Sequence, residues 1–197
     1  MNPFPVLFGL AVVFCGATAR ADPNRQLAAE LLILQGDARQ LWQARAGPEE
    51  QQGLRQRIAG ALSSLPLALR RAGAEPWPVP AMREALQRDD AVGFFRILQP
   101  LIRRHRFDAR FMIRESSRER IAAGAQLHTE VCAGCHAAAA GDTLLPARPL
   151  QKLAASQSAE EFAARLWLGI RGMREIAYAN PFTDEELAAL FAYYRSP

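Results

Sequence analysis

The chain has 197 residues, half of them hydrophobic, and a formal net charge of +4. That length and apolar share allow one sizeable domain or two small ones, and exclude a disordered or collagen-like chain. All but one of the 24 basic residues are Arg. With so many alanines, this skew reflects a GC-rich coding sequence rather than a chemistry.

Pro3 to Cys15 is a short apolar run, and Ala19-Arg20-Ala21 has the A-x-A form of a signal-peptide cleavage site. The start therefore predicts export to the periplasm, with residues 1–21 removed after Ala21. No Lys or Arg precedes the run, so an uncleaved anchor is the alternative, although the run is short for a bilayer span. The bulky Phe14 argues against lipidation of Cys15. Only Cys132 and Cys135 remain after cleavage. In an oxidising compartment such a pair forms a local site, because a disulfide framework needs more cysteines.

Nearly everything that follows reads as helix, and no stretch alternates with period two. A first helix is predicted over residues 24–46, with Leu27, Leu31, Leu34 and Leu41 on an apolar stripe. Ala46-Gly47-Pro48 breaks it. Pro48, Glu49 and Glu50 then suit the first turn of a second helix carrying Leu54, Ile58, Ala61, Leu62 and Leu65. Pro66 should kink or restart it. The proline-rich stretch 72–80 reads as an extended connector. A third helix follows Pro80 with Met82 and Leu86. Asp89 or Asp90 can cap a fourth, through Phe94, Phe95, Leu98, Leu101 and Ile102. Trp42, Phe94 and Phe95 read as core, since helical spacing alone explains them. Residues 22–110 thus form a helical N-terminal domain.

Residues 103–120 hold seven Arg against Asp108, Glu115 and Glu119, a net of 7 − 3 = +4, equal to the charge of the whole chain. Beyond them, helix starts are predicted at Ser116 with Glu119, Ser158 with Glu161 and Thr183 with Glu186, each spaced as a capping box. The first leads through Ile121, Gly124, Ala125 and His128 into Cys132. The second carries Phe162, Leu166 and Ile170, and the third Leu187, Leu190, Phe191 and Tyr194. Long loops are expected at 137–157 and 171–182.

Cys132-Ala133-Gly134-Cys135-His136 is the attachment signature of a c-type haem. Two thiols at this spacing can form thioethers to both haem vinyls, and the adjacent imidazole then lies under the iron. A structural zinc site wants a second ligand pair, and no further cysteine pair exists. A redox dithiol wants a βαβ context, which the helical pattern lacks. For a sixth ligand, Met173 is the candidate, being the only methionine downstream and lying in a Gly-rich stretch off any apolar stripe. Its alternative role is core filler. His128 reads as a packed or surface histidine one turn before Cys132, and His105 as a solvated member of the basic stretch.

Residues 117–197 resemble the class I cytochrome c family. "GAQLHTEVCAGCH" is similar to the family's first helix, with Gly124 eight residues before the first haem cysteine; His128 stands where the family has an aromatic. "ARPL" resembles the family's Pro-Leu, which implies that the carbonyl of Pro149 accepts a hydrogen bond from His136. "GIRGMREIAYANPFTDEELAALFAYY" resembles the methionine loop and last helix, with Arg174 where a proline often follows the ligand. The resemblance implies that Leu190 and Tyr193 or Tyr194 pack on Gly124. Residues 22–110 resemble no family, so the expected all-α fold joins the N-terminal helical bundle read from periodicity to a cytochrome c domain over 111–197, for which the resemblance implies one covalent haem c held by Cys132, Cys135, His136 and Met173.

The implied activity is one-electron transfer by a protein that is not itself an enzyme, either a free carrier or the electron-transfer subunit of a larger oxidoreductase. Two alternatives stand beside it: a haem enzyme or ligand sensor with an open sixth site, and a helical assembly protein with a structural haem. The expected partners are redox proteins; the stretch Arg103–Arg120 either docks an acidic one or is a solvated linker helix. Nucleic acid and firm membrane association are not expected.

Overall fold

The computed structural model describes residues 22–43, 47–114, 116–136, 147–169 and 182–196. The expected signal peptide and Met173 lie outside these residues. Among the described residues the regular structure is helical, with no β-strand, so the all-α expectation holds.

Helix α1, Pro23–Trp42, starts where Asp22 accepts a hydrogen bond from the Asn24 amide at 3.0 Å and Pro23 supplies a pre-set first turn. Helix α2, Pro48–Arg71, opens with Glu49 and Glu50 in its first turn and runs on through Pro66. Helix α3, Pro78–Gln87, begins three residues before the expected start and inside the expected connector, because Pro78 itself suits a first helical position. Asp90 caps helix α4, Ala91–Arg104, by accepting from the Gly93 amide at 2.8 Å. Its neighbour Asp89 takes a left-handed φ of 58°. The Asp89 carboxylate accepts from Trp42 Nε1 at 2.7 Å and from Arg55 at 2.6 Å, tying the ends of α1 and α2 to the α3–α4 turn.

These four helices pair α1 with α2 and α4, and α3 with α2 and α4. Their core holds Leu27, Leu31, Leu34, Leu54, Ile58, Leu62, Leu69, Met82, Phe94 and Leu98. Trp42, Phe94 and Phe95 form a mutual cluster of tilted and edge-on rings, with centroids 5.2–6.0 Å apart. The aromatic residues are therefore core, as their helical spacing predicts.

The second half contains α5, Arg118–Leu127; a π-helical turn, His128–Cys132; the short α6, Ala133–His136; α7, Leu150–Ser156; α8, Ala159–Leu168; and α9, Asp184–Arg195. The Thr183 box is complete, with its hydroxyl accepting from the Glu186 amide and Glu186 accepting from the Thr183 amide. The other two expected boxes differ. Ser117, not Ser116, caps α5, accepting from the Arg120 amide at 3.2 Å. Ser158 caps α8, but the Glu161 side chain turns to an arginine instead of back to the cap. Helix α8 ends where Gly169 adopts a φ of 74°, which a side chain would oppose. Helix α7 falls inside the expected loop 137–157.

The most extensive pairing is α5 on α9. A Cβ on Gly124 would lie 2.1 Å from the Ala189 carbonyl oxygen and 2.8 Å from Tyr193 Cβ, so only glycine permits the crossing. The core of this half unites Phe162, Ala163, Leu166, Leu187, Leu190, Phe191 and Tyr194 with Phe107, Ala109 and Met112 from the segment after α4. Ala28 and Ala29 of α1 are buried in it too, with Leu32 and Ile33 beside them. Helix α1 thus buries one face in each core.

A charged network seals the α1–α8 contact. Asp37 of α1, 2% exposed, takes both Arg57 of α2, at 2.5 and 2.6 Å, and Arg165 of α8, at 2.6 Å. Arg165 also reaches Glu161 at 2.9 Å. Burial alone would push the Arg165 guanidinium down; Asp37 and Glu161 more than offset it and hold it above its ordinary value. The four charges sum to zero, the condition for burying them together. The Glu161 carboxylate occupies the space a Cβ on Gly36 would fill, 2.0 Å away, so Gly36 is what lets α8 close on α1.

Candidate haem site

The π-helical turn sits immediately before the motif. Its extra residue shows in the Ala133 amide bonding back to the His128 carbonyl, five positions earlier. Cys132 ends this turn and Cys135 lies in α6, both with free thiols. Burial pushes the Cys132 thiol up, a rise partly countered by its hydrogen bond to Tyr194. Cys135 is exposed, and among the described residues a Cβ on Gly134 would meet nothing within 4 Å.

His136 follows at once. Its Nδ1 is 2.8 Å from the carbonyl oxygen of Arg148. With Nδ1 as the donor, Nε2 is the nitrogen left for a metal. The resemblance implied Pro149 as the acceptor. Here the Pro149 carbonyl instead accepts the first helical bond of α7, from the Leu153 amide at 3.2 Å. The acceptor for His136 is one residue earlier because Pro149 is the N-cap of α7.

His128 is buried, its Nδ1 2.8 Å from the Tyr194 hydroxyl. Its ring forms a three-ring cluster with Tyr193 and Tyr194, 5.5 Å from each, the two tyrosine rings being 5.2 Å apart. It fills an aromatic position, and burial, helped by His136, lowers its pKa below the ordinary 6.5. The Tyr194 hydroxyl, pushed up by burial and by Cys132, stays neutral and joins Cys132 to His128. His105 departs from the solvated role expected of it: it is half-buried, and its Nε2 has no partner among the described residues. Within the basic stretch, Arg110 pairs with Asp108, while Arg114 and Arg120 both reach Glu185. Arg103, Arg104, Arg106 and Arg118 are exposed.

The residues fit a covalent haem: two free thiols about one turn apart, no described neighbour that a Cβ on Gly134 would meet, and an imidazole oriented through Nδ1. Among the described residues no group of three or more His, Cys, Asp or Glu could hold a metal ion by itself. None of their helices is long and apolar enough to cross a membrane. The family profile of cytochrome c oxidase, cbb3-type, subunit III matches residues 119–193. The C-terminal part is a cytochrome c domain. No curated protein matches the chain, and no solved structure does. A cytochrome c domain carries covalent haem c and serves haem-based electron transfer, which is the use this motif suits.

Tyr194, Arg148 and Asp37 were not singled out as polar partners in the sequence. Asp37 does follow closely on a run apolar on every face, Leu31 to Leu34, and that is a signal for a doubly buried helix. Arg148 carries no such mark, since its side-chain partner is Glu50, in the N-terminal bundle.

Proposed function

We propose that the chain is an exported monohaem c-type cytochrome that passes single electrons, as a free carrier or as the electron-transfer subunit of a larger oxidoreductase. The contact of His136 Nδ1 with the Arg148 carbonyl carries this reading, because it presets the imidazole for axial ligation beside two free thiols. When bound, haem supplies a reversible one-electron change at its iron. Cys132 and Cys135 would hold it by thioethers. His136 would bind the iron through Nε2 while Nδ1–H stays on the carbonyl, which would fix the tautomer and raise ligand basicity. Met173 would supply the second iron ligand, a thioether that raises the potential relative to a second imidazole. With His136 and Met173 both taken by the iron, the protein would carry electrons and transform no substrate.

The matched family is an oxidase subunit, which favours work beside other redox proteins. Exposed Arg103, Arg104, Arg106 and Arg118 offer a cationic docking face for an acidic partner, and such a face raises encounter rates. The apolar run and the A-x-A pattern before Asp22 support delivery to the periplasm.

The full chain, produced in cells that attach haem c, should carry the mass of one haem. It should also show the ferric methionine–iron charge-transfer band, and Met173→Ala should lose that band. A high-spin spectrum with ready carbon monoxide binding in the unsubstituted protein would sink the proposal.

A further inference from the structure

We propose that Glu50, in the N-terminal bundle, is a positioning residue for the axial histidine, acting through Arg148. Glu50 lies in the first turn of α2, and its Oε1 accepts from Arg148 Nη2, 98 positions later in the chain. The carbonyl of the same Arg148 accepts from His136 Nδ1 at 2.8 Å. One residue therefore joins the bundle to the hydrogen bond that orients the imidazole. The inference rests on His136 being the axial ligand.

Arg148 is held on two further sides. Pro149, at φ −52°, caps α7 and limits how the peptide after Arg148 can turn. Helix α7 is tied to α9 by Gln151 Nε2 on the Tyr193 hydroxyl at 3.2 Å. Arg195 reaches the carbonyls of Ala154 and Gln157, the second at 3.1 Å. The remaining freedom of Arg148 is a swing of its side chain and carbonyl away from His136. The ion pair with Glu50 opposes that swing. Glu50 is 29% exposed and Arg148 46%, so the pair contributes little to overall stability. Its effect is local: it holds an acceptor in line with Nδ1–H.

A hydrogen bond from Nδ1 raises the basicity of the coordinating imidazole and favours the oxidised iron. Loosening Arg148 weakens that bond and raises the midpoint potential. A bare charge effect behaves differently. Removing the Glu50 anion would raise the potential, but removing the Arg148 cation would lower it. Positioning requires both single variants to move the potential upward.

The test compares the full-length holoprotein with Glu50→Gln, Arg148→Ala and the charge-exchanged pair Glu50→Arg with Arg148→Glu. Midpoint potentials come from redox titration, and exchange of the His136 Nδ1 proton in the reduced state from NMR. Expected are upward shifts and faster exchange in both single variants, with recovery toward the starting values in the exchanged pair. Shifts of opposite sign, or no shift in either, overturn the inference while leaving the haem reading intact. A protein that takes up no haem at Cys132 and Cys135 fails at the earlier reading instead. Far-ultraviolet circular dichroism confirms that each variant keeps its helices.

Discussion

His105 sits at the end of α4 with its ring half-buried, its Nε2 unpartnered among the described residues, and Arg104 beside it in sequence. Burial, then the Arg104 charge, push its pKa below the ordinary 6.5. Between the depressed folded value and 6.5, the unfolded chain binds more protons than the folded one. Stability therefore rises with pH through that window. The contribution is fully present above 6.5 and is lost as pH falls toward the folded value. His128, also depressed by burial, acts with the same sign. His105→Gln should make the pH dependence of unfolding free energy shallower as pH falls below 6.5, and leave it unchanged above. Urea denaturation of the full chain on either side of that value reads the slope. An unchanged slope would mean the ring is as well hydrated in the fold as in the unfolded chain.

At the scale of elements, the contact of α1 with α8 is decided by Asp37, whose side chain is 3% exposed. Removing it leaves Arg165, 19% exposed, facing only Glu161, and leaves Arg57 without its bidentate partner. Breaking a buried pair on one side typically costs about 3–5 kcal/mol, far more than the pair's net worth, because an uncompensated charge stays buried. Asp37→Ala should lower the unfolding free energy by about that amount in urea denaturation. A loss below about 1 kcal/mol would place the network among solvated surface pairs.

What the chain's letters disclosed follows the same division of scale. The motif, the aromatic cluster and the Thr183 cap are local, so their residue types and spacing announced them. The capping-box spacing pointed to Ser116, and the serine that caps α5 is its neighbour Ser117. Helix α7 has seven residues, too few to be stable alone, and exists because Ala154 is fully buried. The Arg148–Glu50 pair and the shift of the acceptor from Pro149 to Arg148 depend on elements brought together from distant parts of the chain, which no spacing encodes.

For the whole molecule, the decisive feature is that α1 belongs to two cores. Leu27, Leu31, Leu34 and Leu41 fill the bundle, while Ala28 and Ala29 are buried in the cytochrome core. The bundle cannot release α1 without stripping one wall from the other core and opening the Asp37 network. The two cores should therefore unfold together. The three tryptophans allow a direct test, since Trp42 packs in the bundle and Trp167 against the cytochrome core. With Trp42 and Trp77 changed to Phe, fluorescence reports on the cytochrome core; with Trp167 changed to Phe, it reports on the bundle side. Ile58→Ala in each background removes a fully buried bundle side chain and should cost about 2–5 kcal/mol. If α1 couples the cores, both reporters shift to the same lower urea midpoint, although Ile58 belongs to the bundle core alone. If only the bundle reporter shifts, the cytochrome core holds without α1, and the influence of the bundle on the haem narrows to the single Glu50–Arg148 link.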